Sequence, residues 1–137
     1  MHTPPRQLTL VVIHDEARVL LGFKKRGSGF GFDGGGDLEP IGPTRRATIV
    51  FEYANDPVPL EMQVYSAGLW RGEPVESEET RPQWFRHTEI PYHLMSPEAK
   101  YWLPLLLRGR NFEARFRFLD HDHLLHHEVI EREPVIA

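Results

Sequence analysis

The sequence GSGFGFDGGGDLEPIGP, residues 27–43, holds seven of the chain's eleven glycines. It contains the spacing G-x-G-x-x-G, which in dinucleotide-binding proteins lies between a strand and the first turn of a helix. Here Pro40 and Pro43 follow the last of these glycines, Gly34, within nine residues, and proline does not propagate a helix. A P-loop is also excluded, because no Lys-Ser or Lys-Thr pair follows the glycines. We therefore predict a flexible connector instead of a phosphate-binding loop followed by a helix.

The segments on both sides of this connector have the patterns of β-strands. Residues 7–13 and 18–26 are rich in branched apolar side chains, and we expect them to pair as a hairpin. Residues 112–120 alternate aromatic and charged side chains, which is the clearest strand pattern in the chain, and the residues after them form its hairpin partner. Further strands are predicted at 47–54, at 60–70 and, in a short form, from residue 83 onward.

One helix is predicted, over residues 96–107. Ser96 is suited to the N-cap and Pro97 to the first helical position, and apolar residues then recur at helical spacing. Pro104 lacks a backbone N–H group, and its ring collides with the preceding turn, so we expect it to kink or end the helix. The chain thus reads as about seven strands with one helix.

The composition is that of a single globular domain. The chain has 137 residues, a net charge of −4 and no cysteine. The acidic balance disfavours binding to polymeric nucleic acid or to anionic membranes, and the lack of cysteine excludes disulfides and thiolate metal sites. No apolar run is long enough for a signal peptide or a membrane span, so the cytoplasm is the expected location, with the nucleus as the alternative.

Several segments, in their order along the chain, resemble a known family. VLLGFKKRG, IVFEY, RPQWF, YWLPLLL and FEARFRF are similar to the oxidised purine nucleoside triphosphate hydrolases, the MutT-homologue branch of the Nudix superfamily. The resemblance covers most of the chain. It implies an α/β fold with a mixed β-sheet sandwich in one domain over residues 1–137. It also implies Mg²⁺-dependent cleavage of 8-oxo-dGTP or 2-hydroxy-dATP to the monophosphate and pyrophosphate.

The motif that defines this superfamily, the Nudix box G-x5-E-x7-R-E-U-x-E-E-x-G-U, is not found in the sequence. Only DLEPIGPTRRAT separates Gly36 from Ile49, and its acidic residues are Asp37 and Glu39. The segment is about 20 residues too short for a helix with its flanking loops, at 1.5 Å rise per residue. We therefore expect a Nudix-like sandwich in which the Nudix helix is deleted, one helix remains in the C-terminal half, and a truncated Gly/Pro-rich connector spans residues 33–46.

Without this helix the catalytic metal site is incomplete. The resemblance implies Mg²⁺ as cofactor and assigns Glu79 as its one ligand outside the box, but a single carboxylate does not make a magnesium site. Glu79 has the alternative interpretation of a solvated residue in an acidic loop, and no catalytic residue is predicted. The loss of the helix also predicts an exposed apolar sheet face, and hence self-association or a partner that covers this face.

The resemblance also assigns a site for a purine nucleoside triphosphate. The positions that match the family's substrate loop and base pocket are Thr9, Lys24, Asp33, Phe51, Leu60, Glu98 and Trp102. Asp33 replaces an asparagine, and an ionised aspartate only accepts hydrogen bonds. Two alternatives stay open: Phe51 and Trp102 are ordinary core residues, and Lys24 lies at a solvated strand end.

Two classes of function follow. The first is an oxidised purine nucleoside triphosphate diphosphatase that is inactive or strongly impaired. The second is a non-catalytic nucleotide-binding or interaction module, or a vestigial splice-type isoform. Separately, residues 120–127 hold four histidines and two aspartates, which could bind Zn²⁺ or Ni²⁺, although a charged hairpin tip is the simpler interpretation.

Overall fold

The structure is a computed structural model that describes residues 4–24, 30–31, 38–78 and 80–133, with the backbone alone at 23–24 and 30–31. The described residues form ten strands, one α-helix and the two short 3-10 helices His87–Glu89 and Tyr92–Leu94. The strands are β1 (Arg6–Ile13), β2 (Arg18–Lys24), β3 (Phe30–Gly31), β4 (Glu39–Ile41), β5 (Thr44–Tyr53), β6 (Asp56–Ala67), β7 (Leu69–Arg71), β8 (Thr80–Arg86), β9 (Asn111–Asp120) and β10 (His123–Arg132), and the helix is α1 (Ala99–Leu107).

The chain divides into two compact units. The first unit comprises Met1–Leu10, Arg45–Tyr65 and Pro97–Ala137, and the second comprises Val11–Thr44 and Ser66–Ser96. A five-stranded sheet has the order β1-β6-β5-β9-β10, and β1 and β6 continue from the first unit into the second. The second unit also holds the sheets β3-β2-β8 and β4-β7. A single domain over residues 1–137 stays a prediction.

The core of the first unit lies between one face of the sheet and α1. β9 runs parallel to β5 and antiparallel to β10, so the sheet is mixed. The alternating pattern of β9 is confirmed, since Phe112, Ala114, Phe116 and Phe118 are buried and the charged residues between them are exposed. α1 packs on this face, where the rings of Trp102 and Phe112 lie 6.3 Å apart. Burial of these large side chains is the main force that holds the helix in place.

The helix begins later than predicted and does not end at Pro104. It begins at Ala99, with Glu98 at the N-cap position and no side-chain cap, so the prediction of Ser96 as N-cap is wrong. Pro104 lies inside the helix, which continues to Leu107, because the buried Leu103 and Leu106 anchor both sides of the proline and outweigh the lost hydrogen bond.

The helix ends in a Schellman motif. The Arg110 N–H group donates to the Leu105 carbonyl at 3.0 Å, and the Gly109 N–H group donates to the Leu106 carbonyl at 2.9 Å. Gly109 has a φ of 74°, the left-handed conformation that this motif requires.

The opposite face of this sheet carries both ion pairs and apolar side chains, such as Val50 and Ile130, in the described part of the first unit. Arg115 pairs with Glu52 at 3.3 Å and Arg132 with Glu113 at 3.0 Å, and all four side chains are exposed. Both ion pairs connect neighbouring strands, because β5 lies beside β9 and β9 lies beside β10. Paired charges thus cover part of this face, beside the exposed Ile130. The apolar sheet face and its covering partner stay predictions.

The predicted hairpin of β1 and β2 is wrong, because the two strands belong to different sheets. β2 pairs with β3 and β8, and among the described residues an isolated bridge joins Val19 of β2 to His14, the residue after β1. The reason is that β1 joins the five-stranded sheet beside β6, where the His14 N–H group reaches the Ala67 carbonyl at 3.1 Å. The chain reverses at Asp15, whose carboxylate accepts the N–H groups of Ala17 and Arg18.

Part of the predicted connector is regular structure. β4 pairs with β7, so that Pro40 lies opposite Trp70, and the Trp70 ring packs on Trp84 at 5.1 Å. Proline is tolerated in β4 because this strand is hydrogen bonded on one side only among the described residues. Gly42, with a φ of 57°, makes the turn into β5. Residues 33–37 of the connector lie outside the described residues.

Candidate functional site

A cavity of about 400 Å³ opens in the first unit, where β5 turns into β6. It is lined by Arg6, Tyr53, Asn55, Asp56, Leu60 and His121. A second cavity, of about 420 Å³, shares Tyr53, Asn55 and Asp56 with the first. Both cavities are open to solvent, and polar and apolar groups share their lining.

Tyr53 forms the aromatic wall of this cavity. Its ring stacks on Phe118, with centroids 5.4 Å apart and an interplanar angle of 21°, and the His121 ring lies 5.6 Å away at a tilted angle. Burial raises the pKa of Tyr53 above its usual value of 10.0, the negative charge of Glu98 raises it further, and the positive charge of Arg6 acts against them. The phenol therefore stays protonated at neutral pH and can donate a hydrogen bond.

Arg6 and Asp56 form the polar wall. The Arg6 Nη2 atom donates to Asp56 Oδ2 at 2.7 Å and to the Val58 carbonyl at 3.2 Å, and the Val58 N–H group donates to Asp56 Oδ1 at 2.9 Å. The bond from the Val58 N–H group, followed by the charge of Arg6, lowers the pKa of Asp56. The carboxylate is thus ionised at neutral pH and held in one orientation by groups on two strands.

The structure brings Leu60 to this cavity, but it buries three other predicted site residues. Phe51 is 7 % exposed, Glu98 7 % and Trp102 2 %, all in the first unit. The Phe51 ring packs against Phe116 at 6.1 Å, on the core face of the sheet. This burial is what the core alternative for Phe51 and Trp102 predicts. A nucleotide-binding role of these residues stays a prediction.

The remaining predicted residues belong to different units or lie outside the described residues. Thr9 is exposed on β1 in the first unit, whereas Lys24 belongs to the second unit, where its backbone pairs with Thr80 of β8. Asp33 and Glu79 lie outside the described residues, so the structure does not test them.

The described residues do not fit a magnesium site. Over 4–24, 30–31, 38–78 and 80–133, no three His, Asp or Glu side chains are grouped closely enough to hold a metal ion.

The loop before β8 is shaped by Ser77, whose Oγ accepts the Thr80 N–H group at 3.0 Å. In the same ranges, no helix has the length and apolar character that a membrane crossing needs.

The histidine-rich turn between β9 and β10 lies wholly within the described residues, and its side chains have separate contacts. His123 Nδ1 lies 2.7 Å from Asp120 Oδ1, His121 faces Tyr53, and the His127 ring stacks on Tyr101 at 4.0 Å. Asp120 raises the pKa of His123 through this hydrogen bond and through its charge. The described chain therefore favours the charged hairpin tip over the Zn²⁺ or Ni²⁺ site.

The sequence interpretation missed most of the cavity. A signal for Tyr53 was present, because Ile49, Phe51 and Tyr53 alternate along β5 and so share one face. No local pattern pairs Arg6 with Asp56, which lie 50 positions apart and meet only because β1 and β6 are neighbours.

The arrangement of strands and helix is that of a MutT protein. The chain is similar to the crystal structure of the MutT protein from Bacillus halodurans, with a TM-score of 0.77 and 16 % identity, over 90 % of this chain and 97 % of that one. It is also similar to the MutT NUDIX hydrolase from Burkholderia pseudomallei, with a TM-score of 0.53 and 19 % identity, over 68 % and 92 % of the two chains. At these identities the likeness shows the fold alone. The predicted α/β Nudix-like fold, a mixed sheet with one helix, is thereby confirmed.

Sequence relatives give the family. The oxidized purine nucleoside triphosphate hydrolase of Mus musculus is 35 % identical over 148 residues, covering 92 % of this chain and 95 % of the relative. The protein of the same name from Danio rerio is 34 % identical over the same shares. No family model matches the chain. On these relatives, the chain belongs to the oxidised purine nucleoside triphosphate hydrolases, in the MutT branch of the Nudix superfamily, as its sequence predicts.

Proposed function

We propose that this chain binds purine nucleoside triphosphates and is a strongly impaired diphosphatase toward oxidised purines such as 8-oxo-dGTP and 2-hydroxy-dATP. The substrate class is supported by the two relatives, which are named for the hydrolysis of oxidised purine nucleoside triphosphates. The impairment is argued from the chain's own residues.

The observation that carries the impairment is the short segment between Gly36 and Ile49. Its only carboxylates are Asp37 and Glu39, and the segment is too short for the helix that would present the several glutamates of the Nudix box to one Mg²⁺ ion. The alignment with the mouse relative spans 148 positions, more than the 137 residues of this chain, which supports a deletion inside the matched region. Bound Mg²⁺ would supply charge neutralisation. Without it, a carboxylate 4 Å from a phosphate oxygen is repelled by about 4 kcal/mol at an effective dielectric of about 20.

A non-catalytic nucleotide-binding module is the second candidate. The cavity beside Tyr53 is lined by first-unit residues alone, and none of them belongs to residues 33–46. Binding at this cavity therefore does not require the truncated connector. Self-association, a covering partner, and location in the cytoplasm or nucleus stay predictions.

The catalytic part is tested by pyrophosphate release from 8-oxo-dGTP and 2-hydroxy-dATP with Mg²⁺. We expect rates close to the uncatalysed background for the wild type, for Glu79→Gln and for the matched loop variant Glu76→Gln. Robust turnover that Glu79→Gln abolishes and Glu76→Gln preserves would show that the metal site is complete.

Binding is tested separately by thermal unfolding with nucleotide, in the presence and absence of Mg²⁺. A ligand at 100 times its dissociation constant stabilises the folded state by about 2.7 kcal/mol. We expect the melting temperature to rise by several degrees with nucleotide alone. No shift with any purine nucleotide, with or without Mg²⁺, removes both candidates.

A further inference from the structure

Strand β10 lies at one end of the five-stranded sheet. In the described part of the chain its neighbour is β9 alone, so the backbone N–H and C=O groups on its other side form an open sheet edge. Such an edge pairs readily with another strand, and short length, proline or lysine protect against this pairing. β10 has ten residues and contains neither proline nor lysine.

This edge carries apolar side chains together with polar ones that lack a partner. Leu125 is 56 % exposed and Ile130 40 %. His126, Glu128 and Glu131 are exposed too, and no hydrogen bond or ion pair joins them to another residue within the described chain. A strand that covers β10 therefore has to match apolar, histidine and carboxylate side chains at fixed spacings.

A second copy of β10 supplies this match. When two β10 strands pair antiparallel with the two-fold axis at His127, each residue meets the one equally far from His127 on the other strand. The opposed residues are then His126 with Glu128, Leu125 with Val129, Leu124 with Ile130, and His123 with Glu131. The two-fold symmetry makes each pair twice. A histidine ring keeps an N–H donor for the carboxylate in its neutral and in its protonated form, and apolar cross-strand pairs add to the stability.

Neighbouring registers lack this complementarity. With the axis at Glu128, two Glu128 carboxylates oppose each other and Leu125 meets Glu131. With the axis at His126, Leu124 meets Glu128. Like charges directly opposite each other destabilise a sheet, and an apolar residue offers no hydrogen bond to a carboxylate. The side chains of β10 thus select the register centred on His127.

The pairs next to the axis lie in the regular part of the strand. The pairing of β10 with β9 is irregular around Leu125, whereas residues 126–132 follow β9 without interruption. Within this stretch, His126 lies opposite Arg117 of β9 and Glu128 opposite Arg115. His126 and Glu128 are therefore the residues at which the register is best tested.

We propose that this chain forms a symmetric dimer in which β10 pairs antiparallel with β10 of a second copy, centred on His127, so that the two five-stranded sheets join edge to edge. The dimer goes beyond the proposed function and does not depend on it. Because one strand of each copy is covered, the interface belongs to the small class, and we expect a weak dimer that exchanges with the monomer.

The test is sedimentation velocity of the full chain over a concentration series. We expect the weight-average sedimentation coefficient of the wild type to rise with concentration toward that of a dimer. His126→Glu places a second carboxylate opposite the partner's Glu128, twice in each dimer, and weakens the association by about tenfold. In its own chain the new carboxylate lies opposite Arg117, so the sheet is not weakened. Adding Glu128→Lys to His126→Glu restores an opposite-charge pair in this register and brings the association back to the wild-type level.

His93→Glu is the matched control. His93 is an exposed histidine of the 3-10 helix Tyr92–Leu94 in the second unit, so the same change of charge there leaves the association unchanged. A wild-type sedimentation coefficient that does not change with concentration overturns the dimer. Association that survives His126→Glu, that His93→Glu removes, or that the added Glu128→Lys does not restore overturns the β10 register. Nucleotide binding and pyrophosphate release are measured in separate assays, so none of these results decides the proposed function.

Discussion

Replacing Phe51 separates a core role from a ligand-binding role. Phe51 alternates with half-buried neighbours along β5, is 7 % exposed, and packs against Phe116 at 6.1 Å and Phe118 at 6.3 Å. Truncation of such a buried ring costs the transfer free energy of the lost atoms and leaves a cavity, together about 3–5 kcal/mol for Phe51→Ala. Because a whole domain is stable by only about 5–15 kcal/mol, Phe51→Leu is the safer variant, with an expected loss of about 1–2 kcal/mol.

The measurement is urea denaturation followed by circular dichroism, combined with the nucleotide dissociation constant of each variant. We expect the free energy of unfolding to fall by these amounts at an unchanged denaturant slope, while the affinity of the Leu variant stays at the wild-type value. Val50→Ala is the control, since Val50 lies on the opposite, partly exposed face of β5 and costs less. If Phe51→Leu unfolds like the wild type but no longer binds nucleotide, Phe51 is a wall of the ligand site and the core assignment is wrong.

Two further predictions concern single contacts in the first unit. Because Asp120 raises the pKa of His123, the pair stabilises the folded state fully below pH 6.5, and this contribution is lost as the pH rises through the raised pKa. An NMR titration should give a His123 pKa above 6.5 in the wild type and a value closer to 6.5 in Asp120→Asn. Equal pKa values in both proteins would refute the contact. Gly109→Ala should lower the free energy of unfolding, measured by urea denaturation, by about 1 kcal/mol, because the φ of 74° at Gly109 disfavours a side chain. Nothing lies within 4 Å of the added Cβ, so the loss reports backbone strain and not a clash. An unchanged denaturation midpoint would contradict the strain argument.

The fold was predictable where a pattern depends on neighbours in sequence. The alternation of β9 and the helical spacing of α1 both led to the correct elements, because each buries one face against the core. Prediction failed where propensity competes with packing. Pro104 was expected to kink or end α1, and the helix continues through it to Leu107 between the buried Leu103 and Leu106. Pro40 and Gly42 concealed the short strand β4.

The pairing of strands and the candidate site were less predictable. β1 and β2 follow each other closely, yet their hydrogen bonds go to β6 and to β8, respectively, because those strands offer the longer ladders. Leu60 was predicted for the site and lies in the cavity, whereas Phe51 and Trp102 were predicted and lie in the core.

The sequence alone determined the family, most strand and helix positions, and the shortage of carboxylates between Gly36 and Ile49, since all of these are read from residue order and local periodicity. Only the tertiary structure decided which side chains meet at the cavity. Arg6, Asp56 and His121 come from distant parts of the chain, and their meeting depends on which strands pair and in which register. The pairing and register of the strands depend on the burial and hydrogen bonding of the whole sheet, so they are not readable from any single stretch of sequence.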